Sequence, residues 1–532
     1  MAVEGGGDTK FSVRKKVMIF MVIGRTKRAG KWLAVAALVG LAMIVGPVEA
    51  AAQQEGDETS AVEEPEVDDE SLMAAPQPEE ESANYPALKE AIEAAIGGEL
   101  ERAEVSIHVE DLERDEVLYS READRLMNPA SNVTLVTAAV VLDQLGPNHT
   151  FTTELSTTSN SDGRIDDLYV RGEGEAFLLY RDVLEWAGRL RHRGVEQIAG
   201  DLIIDDGAFD GAYLPPGFDM RDAGAAYRSP IGAVSVNFNA VAARVEPGDR
   251  IGESPNVELD PPNDHVVVEN RARTVYGPYP HIDVSAEATD DGTTLTIDGT
   301  IGINADAIVQ RMRIDDPPAF AGSVVAGAME LVGIDFDGEI RSGTTPDDVE
   351  QLWSHESQPV VDAINAMNKW SNNFIAEQLL RVLGGLDDAP STWEASRNRA
   401  ARVLAGYGFD HGSYRLHNGS GLYDGNELSA RQIVGLLRGM QAHRWGPEFS
   451  SSLAIAGVDG TLRHRLDGDA TRGNLRAKTG TLRDVTALSG YVETASGRPV
   501  AFSILINDPP RRAWRYRDDQ DAIARAIAEF DG

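Results

Sequence analysis

The sequence of 532 residues contains no cysteine, which excludes disulfide bonds, thiol chemistry and cysteine-ligated metal sites. It also lacks the His-Glu-x-x-His pattern of zinc hydrolases and the spacing of a calcium-binding loop, so we predict neither a metal site nor another cofactor. The Gly-x-Ser-x-Gly turn that carries the nucleophile in one large class of serine hydrolases is absent too. A Ser/His/Asp hydrolase that uses His411, His417 or His464 is therefore an alternative with little support, which replacement of those histidines would test.

Positive charge is scarce in this chain. It has 49 Lys and Arg against 86 Asp and Glu, a net charge of −37. Residues 1–52 hold eight basic and three acidic residues, and this excess of five positive charges leaves −42 for the rest of the chain. Nucleic acids and anionic membrane surfaces require a basic face on a protein partner. We therefore predict no nucleic-acid partner.

One apolar run near the N-terminus has the features of a targeting segment. Four basic residues between positions 25 and 31 precede an apolar run over 32–45, and Val48-Glu49-Ala50 fits a small-residue cleavage site. The run is shorter than the roughly 20 residues that a membrane-spanning helix needs. The pattern predicts that residues 1–52 are a signal peptide region, that the protein is exported to the periplasm or cell envelope, and that no stable membrane span remains after cleavage. An uncleaved membrane anchor is the alternative.

Composition divides the remainder of the chain. Residues 53–83 are rich in Asp and Glu, have no Lys or Arg and contain few apolar residues, so we predict a disordered acidic linker. Residues 156–350 are rich in Gly, Pro, Asp and short β patterns, which indicates a β-rich inserted segment of two lobes. The flanking segments, 84–155 and 351–532, are predicted to join into one α+β domain whose sheet is built from both chain ends.

The stretch 128–146 predicts a buried helix that begins at a serine. Apolar residues recur three and four apart between Pro129 and Gly146. Ser131 falls at the N-terminus of this helix, where free backbone N–H groups and the positive end of the helix dipole favour developing negative charge. Ser131 is therefore a candidate nucleophile, and a simple helix-capping role is the alternative.

Two later stretches carry residues that suit a nucleophilic serine site. Ser371-Asn372-Asn373 stands at the start of a predicted helix, and Lys478-Thr479-Gly480-Thr481 leads toward a hairpin predicted over 485–507. Each is weak by itself, because Ser-Asn-Asn is a common helix cap and Lys-Thr-Gly occurs by chance in many chains. Their order after Ser131, together with the surrounding sequence, makes the combination specific.

In these motifs the chain resembles the class C penicillin-binding proteins, the serine D-Ala-D-Ala carboxypeptidases and endopeptidases, whose superfamily carries Ser-x-x-Lys, Ser-x-Asn and Lys-Thr-Gly. The resemblance spans residues 85–532 and includes Ser-Asn-Asn-Phe-Ile-Ala-Glu-Gln-Leu-Leu at 371–380 and Arg-Ala-Lys-Thr-Gly-Thr-Leu at 476–482. It implies an α+β fold: a penicillin-binding-protein/β-lactamase-like transpeptidase domain, an antiparallel sheet with helices, and a β-rich two-lobed insertion. It also implies peptidoglycan stem peptides ending in D-Ala-D-Ala, and β-lactams, as ligands.

The resemblance implies catalytic roles for four residues. Ser131 would attack the carbonyl of the penultimate D-Ala and form an acyl-enzyme. The backbone N–H of Ser131 would form an oxyanion hole with an N–H from the strand near Thr481. Ser371 and Asn373 would position the substrate amide and relay the proton to the leaving group, and Lys478 would act with them.

The same resemblance implies a binding site for the substrate's terminal carboxylate. Lys478 and the hydroxyls of Thr479 and Thr481 would hold that carboxylate. Gly480 has no side chain, so the peptide can lie close along the strand.

Thr134 departs from the family pattern, because the family has a lysine, its candidate general base, three residues after the nucleophile. A threonine hydroxyl cannot accept a proton near pH 7, and losing a general base costs about 10² to 10⁴ in rate, or about 3–5 kcal/mol of barrier. Lys369, Lys478 or a water on Ser371 could substitute. The alternative is a catalytically inactive muropeptide- or β-lactam-binding protein. A second departure, Asn418 where the family has Asp before Gly-Ser-Gly, has no mechanism at this stage.

Overall fold

The computed structural model describes residues 85–218, 224–290, 292–387 and 390–532. The predicted signal peptide region, 1–52, and the predicted acidic linker, 53–83, lie outside these ranges. No helix within them is long and apolar enough to cross a membrane.

The helices of the described ranges are short to medium in length. They are α1 Pro86–Ala95, α2 Val133–Leu145, α3 Tyr180–His192, α4 Pro317–Leu331, α5 Val360–Trp370, α6 Asn373–Val382, α7 Trp393–Leu404, α8 Ala430–Ala442, α9 Gly446–Ser452 and α10 Arg517–Ala528.

The strands of the described ranges are numbered in chain order. They are β1 Glu104–Asp111, β2 Glu116–Arg121, β3 Thr152–Thr157, β4 Asn160–Ser161, β5 Arg164–Ile165, β6 Leu168–Gly172, β7 Gln197–Ile198, β8 Leu202–Asp205, β9 Ala240–Glu246, β10 Asn256–Asp260, β11 Val266–Asn270, β12 Arg273–Val275, β13 Pro280–Thr289, β14 Gly292–Gly302, β15 Ile308–Arg313, β16 Asp335–Phe336, β17 Ile340–Ser342, β18 Glu350–Glu356, β19 Ala454–Ile455, β20 Arg476–Thr481, β21 Val485–Glu493 and β22 Pro499–Asn507.

The main sheet has six antiparallel strands in the order β19-β20-β21-β22-β1-β2. Strands β21 and β22 form the hairpin that the sequence predicts over 485–507. Strand β1 pairs with β22, so that Glu104 lies opposite Asn507. Strands from the two ends of the described chain therefore lie side by side within one sheet.

Helices cover both faces of this sheet, as alternate residues of β22 show. Phe502, Ile504 and Ile506 belong to a core that they form with residues of α1 and α10. Ala501 and Leu505 belong to a larger core with residues of α2, α5, α6 and α8. Since successive side chains of a strand point to opposite faces, the sheet lies between two helical layers.

Helix α2 runs through the larger core and confirms the prediction of a buried helix. Residues Val133 to Leu142 are all buried. The helix ends at Gly146, which has a φ of +75° and donates its N–H to the Leu142 carbonyl at 3.0 Å. A positive φ costs glycine little, so this residue ends the helix without strain.

The inserted segment leaves the main domain and returns to it through one pair of strands. β3 pairs with β18 in an antiparallel ladder that sets Thr152 opposite Glu356. These strands belong to a five-stranded sheet, β17-β8-β6-β3-β18, beside a four-stranded sheet, β16-β7-β5-β4. A second group within 240–313 has a three-stranded sheet, β10-β9-β15, and a four-stranded sheet in which β14 pairs with β11, β12 and β13. One continuous core, which includes Trp186, Ile297 and Phe320, joins both groups.

The predicted fold class is confirmed, with two local differences. The sequence pattern of residues 197–205 predicts one strand, whereas the structure has two strands there, β7 and β8, separated by three residues. The sequence pattern predicts a closing helix over 522–530, whereas the corresponding helix, α10, begins at Arg517. The strand that the resemblance implies near Thr481 is β20, which the apolar pattern of the sequence does not mark. The domain boundaries at 84–155, 156–350 and 351–532 stay a prediction.

Candidate active site

Ser131 lies at the junction of a 3₁₀ turn, Ala130–Asn132, and helix α2. Ala130 has a left-handed backbone with a φ of 45°, and its N–H donates to Asn128 Oδ1 at 2.9 Å. This turn leaves Ser131 partly exposed while the helix after it is buried. No side chain caps the N-terminus of α2 in the described structure, so the alternative role of Ser131 as a helix cap is not seen.

The neighbours of Ser131 connect its turn to the elements that carry the other two motifs. Asn132 Nδ2 donates to the Lys478 carbonyl at 3.3 Å. Thr134 Oγ1 lies 3.0 Å from the Ser131 carbonyl O and donates to Asn368 Oδ1 at 2.8 Å. Asn368 belongs to α5, the helix that ends at the second motif. The turn of the candidate nucleophile is therefore fixed against both α5 and β20.

Ser371 joins α5 to α6 with a left-handed backbone, φ 56° and ψ 49°. Such a conformation is uncommon for serine and marks a position held by its surroundings. Asn372 caps α6, since its Oδ1 accepts the Ile375 N–H at 3.0 Å. Asn373 Nδ2 donates to the Tyr227 carbonyl at 3.1 Å. The amide of Asn373 is thus held by the inserted segment.

Lys478 is fully buried and contacts the second motif directly. Its Nζ donates to Ser371 Oγ at 2.8 Å and to the Thr479 carbonyl at 2.7 Å. Burial lowers the pKa of Lys478 from 10.5 to about 7, because the ammonium form loses its hydration. A substantial fraction of this amine is therefore neutral at physiological pH, and a neutral amine can accept a proton.

Lys369, the other lysine considered as a substitute base, is engaged elsewhere. Its Nζ donates to Asp459 Oδ2 at 2.7 Å and to the Leu453 carbonyl at 3.0 Å. Neither of these contacts involves Ser131 or Ser371. The structure therefore favours Lys478 over Lys369.

Gly480 allows strand β20 to lie against the turn of Ser131. A Cβ at this position would lie 3.0 Å from both Ala130 Cβ and the Pro129 carbonyl O. On its outer side, β20 pairs with β19 only at its first two residues. Within the described chain, residues 478–481 therefore have no strand partner on that side, and an extended peptide could add there as a further strand.

The hydroxyls of Thr479 and Thr481 lie on one face of β20, since they are two residues apart. Thr479 Oγ1 donates to Thr461 Oγ1 at 2.9 Å. Thr481 Oγ1 donates to the Gly480 carbonyl at 2.7 Å and accepts from Arg517 Nη2 at 3.3 Å. Neither Thr461 nor Arg517 was predicted.

Asn418, the second departure from the family pattern, holds a loop against the turn of Ser131. Its Oδ1 accepts from the Gly421 N–H at 2.9 Å, and its Nδ2 donates to the Leu422 carbonyl at 3.0 Å. Gly421 in turn packs on Ala130, where an added Cβ would lie 1.9 Å from the carbonyl O. A carboxylate could accept but not donate in this place, so the amide has a structural role.

Glu377 is a buried carboxyl that the sequence did not single out. Its two oxygens accept from the N–H groups of Gly419 and Ser420 at 2.9 and 2.8 Å. Burial raises the pKa of Glu377 to about 7. It fixes the same loop as Asn418 from the side of α6.

The histidines of the Ser/His/Asp alternative are not placed to activate Ser131. His411 and His464 are exposed, and His417 packs against Gly217. None of the three has a hydrogen bond to Ser131 in the described structure. Among the described residues, no group of three or more His, Asp or Glu side chains could hold a metal ion.

Comparison with known proteins identifies the family. The family model of the D-Ala-D-Ala carboxypeptidase 3 (S13) family matches residues 88–530. A D-alanyl-D-alanine carboxypeptidase of Actinomadura sp. is 33% identical over 473 residues, 84% of this chain and 85% of the relative. The D-alanyl-D-alanine carboxypeptidase DacB of Haemophilus influenzae is 24% identical over 76% of this chain and 86% of its own length.

The fold is also shared with a solved structure. The crystal structure of penicillin binding protein 4 (dacB) from Haemophilus influenzae superposes with a TM-score of 0.72 at 22% identity and covers 82% of this chain and 99% of that chain. The same protein complexed with a β-lactam superposes with a TM-score of 0.66. This chain belongs to the D-Ala-D-Ala carboxypeptidase 3 (S13) family and has the fold of a penicillin-binding protein.

Proposed function

We propose that this protein is an exported serine-type D-Ala-D-Ala carboxypeptidase and endopeptidase that acts on peptidoglycan stem peptides through an acyl-enzyme on Ser131. Family membership supports the carboxypeptidase reaction. The observation that carries the proposal for this chain is the contact of 2.8 Å between Lys478 Nζ and Ser371 Oγ. It supplies a buried amine that can act where the family lysine is missing.

The proposed reaction begins with attack of Ser131 Oγ on the carbonyl carbon of the penultimate D-Ala. The hydroxyl proton passes to Ser371 Oγ, which passes its own proton to the neutral Lys478 amine. When the C–N bond breaks, the same route returns a proton to the leaving amine. A water molecule then hydrolyses the ester of Ser131, releases the shortened peptide and restores the serine.

We expect acylation to be slow, because Thr134 cannot take the proton from Ser131 directly. A relay through Ser371 replaces one proton transfer with two. Removal of a positioned general base costs about 10² to 10⁴ in rate, and the relay recovers a part of this loss.

A second candidate function is a binding protein for muropeptides or β-lactams that does not turn over. The environment of Thr134 favours it, because this hydroxyl is fully buried and bound to Asn368 Oδ1, whose amide donates to Ser452 Oγ at 2.8 Å. These neutral groups occupy the place next to Ser131 where the family has an amine.

Covalent labelling with benzylpenicillin tests both candidates, since its strained amide would acylate the same serine. The intact mass of the full chain is followed over time for the wild type, Ser131→Ala and Thr134→Lys. We expect slow gain of one penicilloyl group by the wild type and none by Ser131→Ala. Thr134→Lys should label faster than the wild type, by a part of the factor of about 10² to 10⁴ that a general base contributes.

Thr134→Val is the matched control, because it removes the hydroxyl without adding an amine. Its labelling rate should stay close to that of the wild type. If the wild type and Thr134→Val never label while Thr134→Lys labels rapidly, the protein is the binding protein of the second candidate. If no variant labels, Ser131 is not the nucleophile and the proposed reaction is wrong.

A further inference from the structure

The hydroxyls of Thr479 and Thr481, which are expected to bind the substrate carboxylate, already donate their hydrogens to other groups of the protein. A threonine hydroxyl has a single hydrogen. That of Thr481 points to the Gly480 carbonyl at 2.7 Å, and that of Thr479 points to Thr461 Oγ1 at 2.9 Å. Of the N–H groups on Lys478, two are directed to Ser371 and to the Thr479 carbonyl. An anion that arrives beside β20 therefore meets few free donors on the motif itself.

Arg517 brings free donors to the same place. Its guanidinium carries five N–H groups in a planar fork that matches a carboxylate. One of them, on Nη2, donates to Thr481 Oγ1 at 3.3 Å. The side chain is exposed at the start of α10, so its remaining donors are accessible to a ligand beside Thr481.

Partial burial and the nearby Arg465 lower the pKa of Arg517, while the Asp521 carboxylate raises it. Asp521, one turn further along α10, is paired with Arg465 at 2.6 Å. Asp519 and Arg515 line a different cleft, together with Glu99 and Arg511, which are themselves paired at 2.8 Å. Arg517 is thus the arginine of this segment that contacts the carboxylate-binding motif.

We propose that Arg517 binds the terminal carboxylate of the substrate beside Thr481. This inference rests on the proposed function and adds a specificity-determining residue to it. The guanidinium fork holds the anion while the Thr481 hydroxyl accepts from the arginine, so ligands with a free C-terminal carboxylate are preferred over ligands in which that charge is removed.

The test compares binding of two labelled peptides that end in D-Ala-D-Ala, one with a free carboxylate and one with a C-terminal amide. The full chain with Ser131→Ala serves as the background, so that no acylation occurs, and fluorescence anisotropy gives the two dissociation constants. We expect Arg517→Ala to reduce the preference for the acid by about tenfold, as one charge-assisted hydrogen bond at an exposed site warrants. Arg517→Lys should keep a large part of the preference, because it retains the charge.

Arg515→Ala is the matched control, since it removes an equal charge from the same segment but lines the other cleft. It should leave the preference unchanged. If Arg517→Ala keeps the full preference for the acid, or if Arg515→Ala loses as much, the assignment of Arg517 is wrong while the proposed function stands. If the Ser131→Ala background binds neither peptide, both the assignment and the proposed function are wrong.

Discussion

Two buried side chains beside the candidate site, Lys478 and Glu377, change protonation near neutral pH. Burial lowers the pKa of Lys478 to about 7 and raises the pKa of Glu377 to about 7. The neutral amine of Lys478 is the form that accepts a proton, and its fraction grows as the pH rises through 7. The rate of acylation should therefore depend on pH through Lys478.

We predict that the rate of labelling by benzylpenicillin rises with pH and levels off above an inflection near 7. The measurement is the labelling rate of the wild type between pH 5 and 9 by intact mass. In Lys478→Arg the inflection should disappear and the rate should fall, because an arginine stays protonated over this range.

Glu377→Gln separates the two groups, since it keeps a side chain of the same shape while removing the titration. We expect this variant to retain the inflection. An inflection that survives Lys478→Arg but is lost in Glu377→Gln would show that the carboxyl, acting through the loop it holds, controls the rate.

At the scale of single residues, the sequence predicts the motif residues but not the side chains that contact them. Ser131, Ser371 and Lys478 stand in short local patterns that can be recognised in the chain. Asn368 and Arg517 have no such pattern, because α5 and α10 bring them to the site only after the chain has folded. Their roles come from contacts between residues that are distant in sequence.

Among the elements, β20 determines how a ligand can approach. Its sequence, Arg-Ala-Lys-Thr-Gly-Thr, lacks the apolar alternation that predicts a strand, because functional residues occupy the alternating positions. In the two hairpin strands after it, successive side chains point alternately into the two cores. The apolar pattern predicts both of these strands. Helix α10 begins earlier than predicted because its first turn, Arg-Asp-Asp, has no apolar residue to mark it. The apolar pattern thus reveals elements that pack and misses polar ones that serve the site.

We predict that Gly480→Ala slows acylation by about tenfold, because a shift of a few tenths of an ångström changes how the nucleophile meets its substrate. The added Cβ would lie 3.0 Å from the Pro129 carbonyl O, so the turn of Ser131 must move away from the strand. The labelling rate by benzylpenicillin, in the wild-type and Thr134→Lys backgrounds, measures the effect.

Gly188→Ala in α3 is the control for this substitution. An added Cβ there meets no atom within 4 Å, and the helix should gain up to about 1 kcal/mol in stability. Labelling of Gly480→Ala at the wild-type rate would mean that the close approach of the turn to β20 has no part in catalysis.

At the scale of the molecule, a buried arginine connects the inserted segment to the main domain. The guanidinium of Arg381, in α6, lies over the rings of Phe209 at 5.4 Å and Trp393 at 4.7 Å. It is also ion-paired with Asp210. Phe209 and Asp210 belong to the inserted segment, so one side chain makes both a cation–π contact and an ion pair across the junction.

We predict that Arg381→Met lowers the free energy of unfolding by about 2–4 kcal/mol, since Met fills part of the volume but leaves Asp210 without its partner. Urea unfolding of the full chain measures the change. Arg402→Met is the control, because the ion pair of Arg402 with Asp387 is exposed and should contribute less than about 1 kcal/mol. Equal losses in the two variants would show that the junction does not depend on Arg381.

The pairing of β1 with β22 also sets a delay during biosynthesis. Strand β1 leaves the ribosome early, but its neighbour in the sheet, with Asn507 opposite Glu104, follows about 400 residues later. At the ~5–20 residues per second of synthesis, that interval is roughly 20–80 s. If β1 and β2 paired during this interval, they would form an incomplete sheet with an unpaired edge, which favours association with other chains. We therefore expect the growing chain to stay unfolded, or bound to a chaperone, until β22 has been made.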